Sequence, residues 1–217
     1  MWNRTEDQIT LVMLRHGATR ANREHRYLGK TDEPLLEETQ SQLSMCRSLR
    51  SYPEVDGLFI SPMKRCMQTA DILYPNLQPV RIPEWEEMDF GIFEGRNYME
   101  LQGDDRYQAW IDSNGILPFP EGESREDFRM RCEKGFRRML EVIDAGMDHP
   151  KTVGMIVHGG TIMALLSRYC GGDYFDYQAA NGQGYLCTVS GRGDSVSVTI
   201  VREIGNGMEK NITGVME

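Results

Sequence analysis

The sequence predicts an α/β fold, a three-layer α/β/α sandwich with a mostly parallel central sheet and a C-terminal antiparallel hairpin. Continuous apolar runs at 11–14, 58–60 and 152–157 are typical of strands that are covered on both faces. Each run is followed by a segment that has apolar residues at helical spacing. Two alternating segments near the C-terminus flank a glycine-rich turn, which predicts a hairpin. Strands that alternate with helices favour a parallel sheet with helices on both faces.

The first third of the chain is predicted to alternate between strands and helices. Ser61-Pro62 is typical of a helix start, because serine caps the first turn and proline fits the first helical position. Tyr52-Pro53 and Pro75 are expected to end helices. The predicted elements are a strand at 11–14, a loop at 27–35, a helix at 36–51, a strand at 58–60, a helix at 63–74 and a strand at 80–82.

The remainder of the chain is predicted to contain an acidic, aromatic loop, a long helix, a strand and the hairpin. Ser124 and Asp127 approximate a capping box at the start of the long helix. The core stripe of that helix is predicted to be Phe128, Cys132, Phe136, Met139 and Ile143. The other predicted elements are a loop at 85–95, helices at 98–101 and 105–113, a loop at 114–122, a strand at 152–157, a helix at 161–169 and strands at 185–190 and 195–202. We expect a single domain over 1–217, an insertion of loops and short helices at about 92–122 over the site, and a polar C-terminal tail.

Charge and cysteine content exclude several classes of function. The formal net charge of −9 argues against general binding to nucleic acid or to an anionic membrane. The five cysteines are widely spaced and odd in number, which favours reduced thiols over a disulfide framework or a zinc site. The N-terminal stretch is polar, and no apolar run is long enough to span a bilayer. These features predict a cytoplasmic protein with no nucleic-acid or membrane partner.

Cationic and imidazole side chains follow the predicted strands. Arg15 and His16 come directly after the first strand, His158 follows the strand at 152–157, and Arg65 lies in the first turn of the helix after Ser61. Ligands of open α/β sheets bind at the carboxyl ends of the strands. Two guanidinium groups and two imidazoles beside helix N-termini would form a socket for a compact dianion such as phosphate.

Chemistry at such a socket requires a nucleophile and a proton donor. A neutral histidine ring nitrogen can attack phosphorus. The leaving alkoxide needs a proton, which a carboxyl group can supply. We assign this role to Glu87 in the acidic loop, although the residues alone leave Glu86 and Glu94 open. Asn22 has two interpretations, as a contact to the substrate or as a turn residue that bonds its own backbone.

The segment at 14–22 resembles the signature of the histidine phosphatase superfamily, in its phosphoglycerate mutase-like branch. Further segments match the same family in its order along the chain, which makes the match specific. The length and loops most resemble the α-ribazole phosphatase and broad-specificity members. The matching segments read LRHGATRAN at 14–22, GKTDEPL at 29–35, SPMKRCMQTA at 61–70, EMDFGIFEG at 87–95, GES at 122–124 and HGG at 158–160.

The resemblance implies a phosphoglycerate mutase-like fold and a role for each matching residue. It implies that His16 is the nucleophile that forms a phosphohistidine and that Glu87 is the general acid. The phosphoryl oxygens would be held by Arg15, Arg65 and His158. Asn22 and Gly160 are expected to contact the substrate. The cations replace the metal ions of other phosphatases, so we expect no metal and no cofactor.

The sequence therefore predicts a metal-independent phosphomonoesterase that hydrolyses a small phosphorylated metabolite through a phosphohistidine. A phosphoglycerate mutase is the alternative, but the cationic residues with which mutases grip a substrate carboxylate are not reproduced near Tyr98. A non-catalytic protein that binds a phosphorylated ligand is a further alternative. We expect a monomer or a homodimer, and we interpret the arginines at 125–138 and the isolated His25 and His149 as solvated surface residues.

Overall fold

A computed structural model describes residues 8–146 and 150–205 of the 217-residue chain. His149 and most of the predicted C-terminal tail lie outside the described residues. The strands are β1 Gln8–Arg15, β2 Gly57–Ile60, β3 Val80–Arg81, β4 Thr152–Val157, β5 Gly184–Ser190 and β6 Ser197–Ile204. The helices are α1 Arg20–Arg23, α2 Glu37–Ser48, α3 Lys64–Leu73, α4 Tyr98–Leu101, α5 Asp105–Asp112, α6 Arg125–Gly146 and α7 Gly159–Cys170.

The strands form one six-stranded sheet in the order β3-β2-β4-β1-β5-β6. The first four strands of that order are parallel, whereas β5 runs antiparallel to β1 and pairs with β6 as the C-terminal hairpin. This arrangement confirms the predicted mixed, mostly parallel sheet. Arg15 pairs with Val157, and Ile156 pairs with Ile60. The residues that follow β1, β2 and β4 therefore emerge at the same edge of the sheet.

Helices cover both faces of the sheet, as β1 illustrates. Leu11 and Met13 belong to a hydrophobic cluster that includes the buried sides of α6 and α7. Val12 and Leu14 belong to a second cluster, which includes the buried sides of α2 and α3. Because successive side chains of a strand point to opposite faces, one apolar run supplies both cores. Each described helix is too short or too polar to cross a membrane.

The start of α3 differs from the prediction. Its N-cap residue is Met63, which makes no side-chain capping bond, and the helix begins at Lys64. The Ser61 hydroxyl instead lies 2.8 Å from His158 Nε2 and accepts a bond of 3.3 Å from the Met63 N–H. The predicted serine cap at Ser61 was therefore wrong, because the hydroxyl is engaged by the imidazole across the sheet.

Most other predicted elements shift by one to three residues. The helix predicted at 36–51 ends at Ser48, and α7 begins at Gly159 instead of at residue 161. The start predicted for the long helix is confirmed, because the Asp127 N–H donates to the Ser124 hydroxyl at 3.0 Å. The short α1 and a 3-10 turn at Tyr174–Tyr177 were not predicted from the sequence.

The segment at 92–122, which the sequence predicts to be an insertion, contains α4 and α5 and packs against the acidic loop through aromatic rings. Gly91 has a φ of +54°, and a side chain there would collide with the Pro120 carbonyl. Glycine at this position therefore permits the close approach of the two loops. The rings in mutual contact are Tyr27, Phe90, Phe93, Tyr107, Trp110 and Phe119.

Candidate active site

The two predicted imidazoles lie together at the carboxyl edge of the sheet. The ring centroids of His16 and His158 are 5.2 Å apart, and both residues are buried. The backbone N–H of His16 donates to the Val157 carbonyl at 2.9 Å, which ties the end of β1 to the end of β4. The parallel pairing of these strands therefore places two distant segments in one site.

The tautomer of His16 follows from its hydrogen bond. Its Nδ1 lies 2.7 Å from the Gly17 carbonyl oxygen, which can only accept, so Nδ1 carries the proton. Nε2 then holds the free electron pair. Burial, followed by the charges of Arg65 and Arg15, lowers the pKa of His16 well below its ordinary value of 6.5. His16 is consequently neutral near pH 7, as a nitrogen nucleophile must be.

Arg65 is fully buried and is held by backbone carbonyls of the loop after α1. Its Nη1 and Nη2 donate to the carbonyls of Thr31 and Gly29, each at 3.0 Å. Its Nε lies 3.3 Å from His158 Nδ1. A buried cation without a carboxylate partner is costly unless hydrogen bonds or an anionic ligand compensate it. Arg65 therefore has the environment of an anion-binding arginine.

The orientation of His158 follows from the same contacts. Since Nδ1 accepts from Arg65 Nε, the proton resides on Nε2, which donates to the Ser61 hydroxyl. Burial and the charge of Arg65 lower the pKa of His158 well below 6.5. Glu87 Oε2 lies 3.9 Å from Nδ1, so the predicted acid is in the same site.

Arg15 is the second guanidinium of the site. Its Nη1 donates to the Ala179 carbonyl at 2.8 Å, and burial lowers its pKa. Its Nε is buried and has no hydrogen-bond partner among the residues that the structure describes. Buried polar groups are rarely left unpaired, and a bound phosphoryl oxygen is the kind of acceptor that would satisfy this donor.

The environment of Glu87 suits a general acid. One carboxylate oxygen accepts the Met88 N–H at 2.9 Å, and the side chain is only 11% exposed. Burial raises the pKa of Glu87 above its ordinary value of 4.5, despite the opposing charges of Arg65 and Arg15. A carboxyl group with a raised pKa can hold a proton in mildly acidic solution and donate it.

Arg131 of α6 holds the backbone beneath Glu87. Nε and Nη2 donate to the Glu123 carboxylate at 2.9 and 2.8 Å. Nη1 donates to the carbonyls of Glu84 and Glu86, each at 2.8 Å, and Nη2 also reaches the Glu87 carbonyl at 3.4 Å. The interpretation of the arginines at 125–138 as a solvated face was therefore wrong for Arg131. Its sequence context contains no signal for this role.

Asn22 has the position of a turn residue, which was the second of its two predicted roles. Its Oδ1 accepts from the Thr19 N–H at 3.1 Å, which forms a capping box at the start of α1. The same oxygen accepts from Asn181 Nδ2 at 3.2 Å, and that amide also donates to the His16 carbonyl at 3.1 Å. The Asn181 side chain thus links Asn22 to His16, and a contact of Asn22 with substrate stays a prediction. Asn181 was missed because it belongs to no matching segment.

Gly160 lies in the first turn of α7, against the proposed acid. A side chain there would lie 2.7 Å from Glu87 Oε1 and 3.1 Å from the ring of Phe128. Glycine therefore leaves room for the carboxyl group, and a direct contact of Gly160 with substrate stays a prediction. Arg15, Glu87 and Gly160 all line a cavity of about 280 Å³.

The site consists of neutral imidazoles, guanidinium groups and one carboxyl group. Among residues 8–146 and 150–205, no group of three or more His, Cys, Asp or Glu side chains is placed to hold a metal ion. The five cysteines are free thiols. The cations of the site can stabilise the charge of a phosphoryl group, and the carboxyl group can exchange a proton with its ester oxygen.

Comparison with known proteins identifies the family. Residues 11–198 match the model of the histidine phosphatase superfamily (branch 1), and the chain belongs to this family. It is 30% identical over 168 residues to the adenosylcobalamin/alpha-ribazole phosphatase of Escherichia coli strain K12, which covers 75% of this chain and 80% of that protein.

This chain is also similar to relatives that are named as mutases and to solved structures. The 2,3-bisphosphoglycerate-dependent phosphoglycerate mutase 2 of Gloeobacter violaceus is 29% identical over 165 residues, covering 72% of this chain and 73% of that protein. The crystal structure of the alpha-ribazole phosphatase from Shigella flexneri superposes with a TM-score of 0.73 at 23% identity, over 91% of this chain and 98% of that chain. That likeness shows the fold alone.

Proposed function

We propose that the protein is a metal-independent phosphomonoesterase that hydrolyses a small phosphorylated metabolite through a phosphohistidine at His16. One observation carries the proposal. The hydrogen bond from Nδ1 to the Gly17 carbonyl leaves a neutral Nε2 free, in a site that also contains the fully buried guanidinium of Arg65, the partly buried guanidinium of Arg15 and the carboxyl group of Glu87, which is only 11% exposed. These are the parts that phosphoryl transfer to nitrogen and protonation of a leaving oxygen require.

In the first step, the Nε2 electron pair of His16 attacks phosphorus. The bond between phosphorus and the ester oxygen breaks, and Glu87 gives its proton to that oxygen, so that a neutral alcohol departs. Arg15 and Arg65 stabilise the charge on the other phosphoryl oxygens. His158 orients Arg65, because its Nδ1 accepts from Arg65 Nε while its Nε2 donates to Ser61. The products are phosphohistidine, the free alcohol and the Glu87 carboxylate.

In the second step, the Glu87 carboxylate accepts a proton from water as the water oxygen attacks phosphorus. The bond between phosphorus and Nε2 breaks, and its electron pair returns to the ring. Inorganic phosphate leaves, and the site regains a neutral His16 and a protonated Glu87. Each group therefore returns to its starting protonation state after one turnover.

The lining of the cavity beside the acidic loop favours a phosphatase over a mutase. A mutase must hold the carboxylate of phosphoglycerate and retain the substrate between two transfers. The cavity next to Glu87 has Arg125 as a cation besides Arg15, but six of its lining residues are aromatic, and this apolar lining suits a ring-containing alcohol better than the small, polar phosphoglycerate. Family relatives include both phosphatases and mutases, so the comparisons leave this choice to experiment.

The proposal is tested by measuring phosphate release from phenyl phosphate with EDTA present, in the wild type and in His16→Ala. We expect turnover in the wild type only. The phosphorylated enzyme is then incubated with 3-phosphoglycerate. Release of its phosphate to water supports the phosphatase, and transfer to the added substrate would identify a mutase. Absence of turnover in both proteins, or equal turnover, would favour a non-catalytic phosphate-binding protein.

We also propose a cytoplasmic location and a monomeric or homodimeric state. The free cysteines are compatible with a reducing compartment, and the net charge of −9 disfavours nucleic-acid and membrane partners. Fractionation of the native host cells would test the location, and light scattering with size-exclusion chromatography would test the oligomeric state.

A further inference from the structure

The cavity of about 280 Å³ extends from the proposed catalytic groups to the insertion. Arg15 and Glu87 lie on its wall, so an ester that is bound for reaction would place its alcohol part in or beside this space. Its volume lies at the lower limit of ligand pockets, which suits a group of one or two rings. Six aromatic residues line it: Tyr27, Phe90, Trp110, Phe119, Tyr174 and Phe175.

Contacts between rings fix the aromatic wall. Trp110 packs against Phe119 with centroids 4.8 Å apart, and it stacks nearly parallel to Tyr107, with an interplanar angle of 16°. Phe90 meets Phe119 edge to face at 5.0 Å. Rings held by other rings lose little further side-chain entropy when a ligand binds, which favours a planar apolar group.

Arg125 contributes a cation to the same cavity. Its guanidinium lies 5.6 Å from the centre of the Tyr174 ring, and Nη1 makes a long bond of 3.5 Å to the Asn114 carbonyl. Within the described part of the chain, Arg125 has no carboxylate partner. The other arginines of α6 each contact a glutamate, and these are Arg129, Arg131, Arg137 and Arg138. Arg125 therefore retains its capacity to pair with an anionic group of a ligand.

We propose that this cavity binds the alcohol part of the substrate, and that the substrate class is the phosphomonoester of a planar aromatic alcohol that carries a carboxylate or another anionic group toward Arg125. This inference rests on the proposed phosphatase function and defines its substrate class. Trp110 and Arg125 are its specificity-determining residues, the first for the ring and the second for the anionic group.

The ring preference is tested with ethyl, benzyl and naphthylmethyl phosphates. All three are esters of primary alcohols, so differences in leaving-group acidity are small and kcat/KM reports binding of the alcohol part. We expect the wild type to prefer benzyl over ethyl phosphate by at least about tenfold, and Trp110→Ala to reduce this ratio by about tenfold. Trp110→Phe should keep most of the ratio, and Ile111→Ala, a neighbour with a half-exposed side chain, should leave it unchanged.

The role of Arg125 is tested with benzyl phosphates that carry a carboxylate at ring position 3 or 4. We expect at least one isomer to exceed benzyl phosphate in kcat/KM, and Arg125→Gln to reduce that preference by about tenfold. Arg129→Gln is the matched control, because Arg129 lies one turn further along α6 and does not line this cavity. It should keep the preference.

The outcomes separate this inference from the proposed function. Hydrolysis of all esters with no preference for a ring, or a ratio that survives Trp110→Ala, would overturn the ring pocket while the phosphatase stands. Equal behaviour of Arg125→Gln and Arg129→Gln would overturn the anionic group. If the wild type hydrolyses none of the esters, the proposed function fails and this inference fails with it. Circular dichroism of each variant shows whether a loss reflects unfolding.

Discussion

Burial shifts the pKa values of both groups proposed to react, the nucleophile His16 and the acid Glu87. Removing water disfavours the charged form of any titratable group, so the pKa of His16 falls and the pKa of Glu87 rises. The two reactive groups need these opposite shifts, because the imidazole must be neutral and the carboxyl group protonated. A single physical cause, burial, therefore shifts both pKa values in the directions that the proposed reaction needs.

These shifts predict how activity depends on pH. His16 must be unprotonated, which holds above a pKa well below 6.5, and Glu87 must be protonated, which holds below a pKa above 4.5. We expect kcat/KM to peak in mildly acidic to neutral solution and to fall toward pH 9. The measurement is a pH profile with ethyl phosphate for the wild type and Glu87→Gln. The variant should lack the alkaline fall, and a wild-type rate that rises steadily to pH 9 would contradict the assignment of Glu87.

The residues that the sequence could predict are those whose role follows from their position next to a strand or a helix start. His16, Arg15 and His158 follow strands, and Arg65 is in the first turn of a helix. Arg131 could not be predicted, because it joins Glu123 to a loop at 84–87 that lies more than forty residues before Arg131 in the chain. Local pattern carries no information about such tertiary contacts.

At the scale of elements, α6 supports the acid loop through Arg131. Loss of this guanidinium would free three backbone carbonyls and leave Glu87 less well positioned. We expect Arg131→Gln to lower kcat/KM for ethyl phosphate at least about tenfold more than for 4-nitrophenyl phosphate, since nitrophenolate departs without a proton. The measurement compares both esters, with Glu87→Gln as the reference for complete loss of the acid.

Arg138→Gln is the control for that experiment. Arg138 lies on the same helix as Arg131, but it pairs with the side chain of Glu84 and not with the backbone of the acidic loop. Its ratio between the two esters should equal that of the wild type. A structural defect without a positioning role would lower both activities of Arg131→Gln equally, and that result would count against the interpretation.

Thr69 joins α3 to the turn that carries the nucleophile. Its hydroxyl accepts from the Gly17 N–H at 3.0 Å and donates to the Arg65 carbonyl at 2.7 Å, and the side chain is buried. Valine has the same shape but would leave the Gly17 N–H unpaired. We expect Thr69→Val to lower the free energy of unfolding by about 1–3 kcal/mol in urea denaturation. Thr199→Val, on an exposed position of β6, should change it little, and equal values for both would refute the role of this bond.

The element boundaries show which local signals suffice. The capping pair Ser124 and Asp127 was predicted correctly because its partners are three residues apart in the chain. The helix cap predicted at Ser61 was wrong because the Ser61 hydroxyl forms a hydrogen bond with His158, which lies ninety-seven residues away in the chain. Strand β4 was predicted over its full range because it is buried on both faces and bounded by polar residues. Long-range competition for polar groups therefore limits prediction more than strand or helix propensity does.

At the scale of the whole molecule, the buried histidines make stability depend on pH. His16 and His158 bind protons more weakly when folded than when unfolded, so stability falls as the pH decreases below 6.5. Each contributes about 1.4 kcal/mol per pH unit in that window. Glu87 acts in the opposite sense, because its raised pKa adds stability that is present at low pH and lost as the pH rises.

The two histidines are expected to lower the free energy of unfolding as the pH decreases below 6.5, each by up to about 1.4 kcal/mol per pH unit, and Glu87 offsets part of this loss. Urea denaturation at pH 7.5 and 5.5 measures this loss. Glu87→Gln removes the opposing contribution and should steepen it, and His16→Asn should make it shallower. Equal or greater stability of the wild type at pH 5.5 would show that the imidazoles are not held neutral by the fold.

The sheet order explains why the site exists only in the complete fold. Strand β4 lies between β1 and β2, so the nucleophile, the second imidazole and Ser61 become neighbours only when three segments separated by about forty-five to ninety-five residues have paired. Glu87, the proposed acid, lies on a fourth segment, the loop that Arg131 of α6 contacts. Pairing of the strands therefore also brings the residues of the site together.

The transfer of a phosphoryl group to His16 is tested most directly by trapping the intermediate. The wild type is mixed with a radiolabelled phosphomonoester, quenched in alkali within the first turnover and digested for peptide mapping. We predict one labelled histidine, His16, whose phosphate is stable in alkali and labile in acid, and which forms at least as fast as turnover. The label should be absent from His16→Asn. Turnover without a phosphoenzyme, or a label on any other residue, would contradict the account.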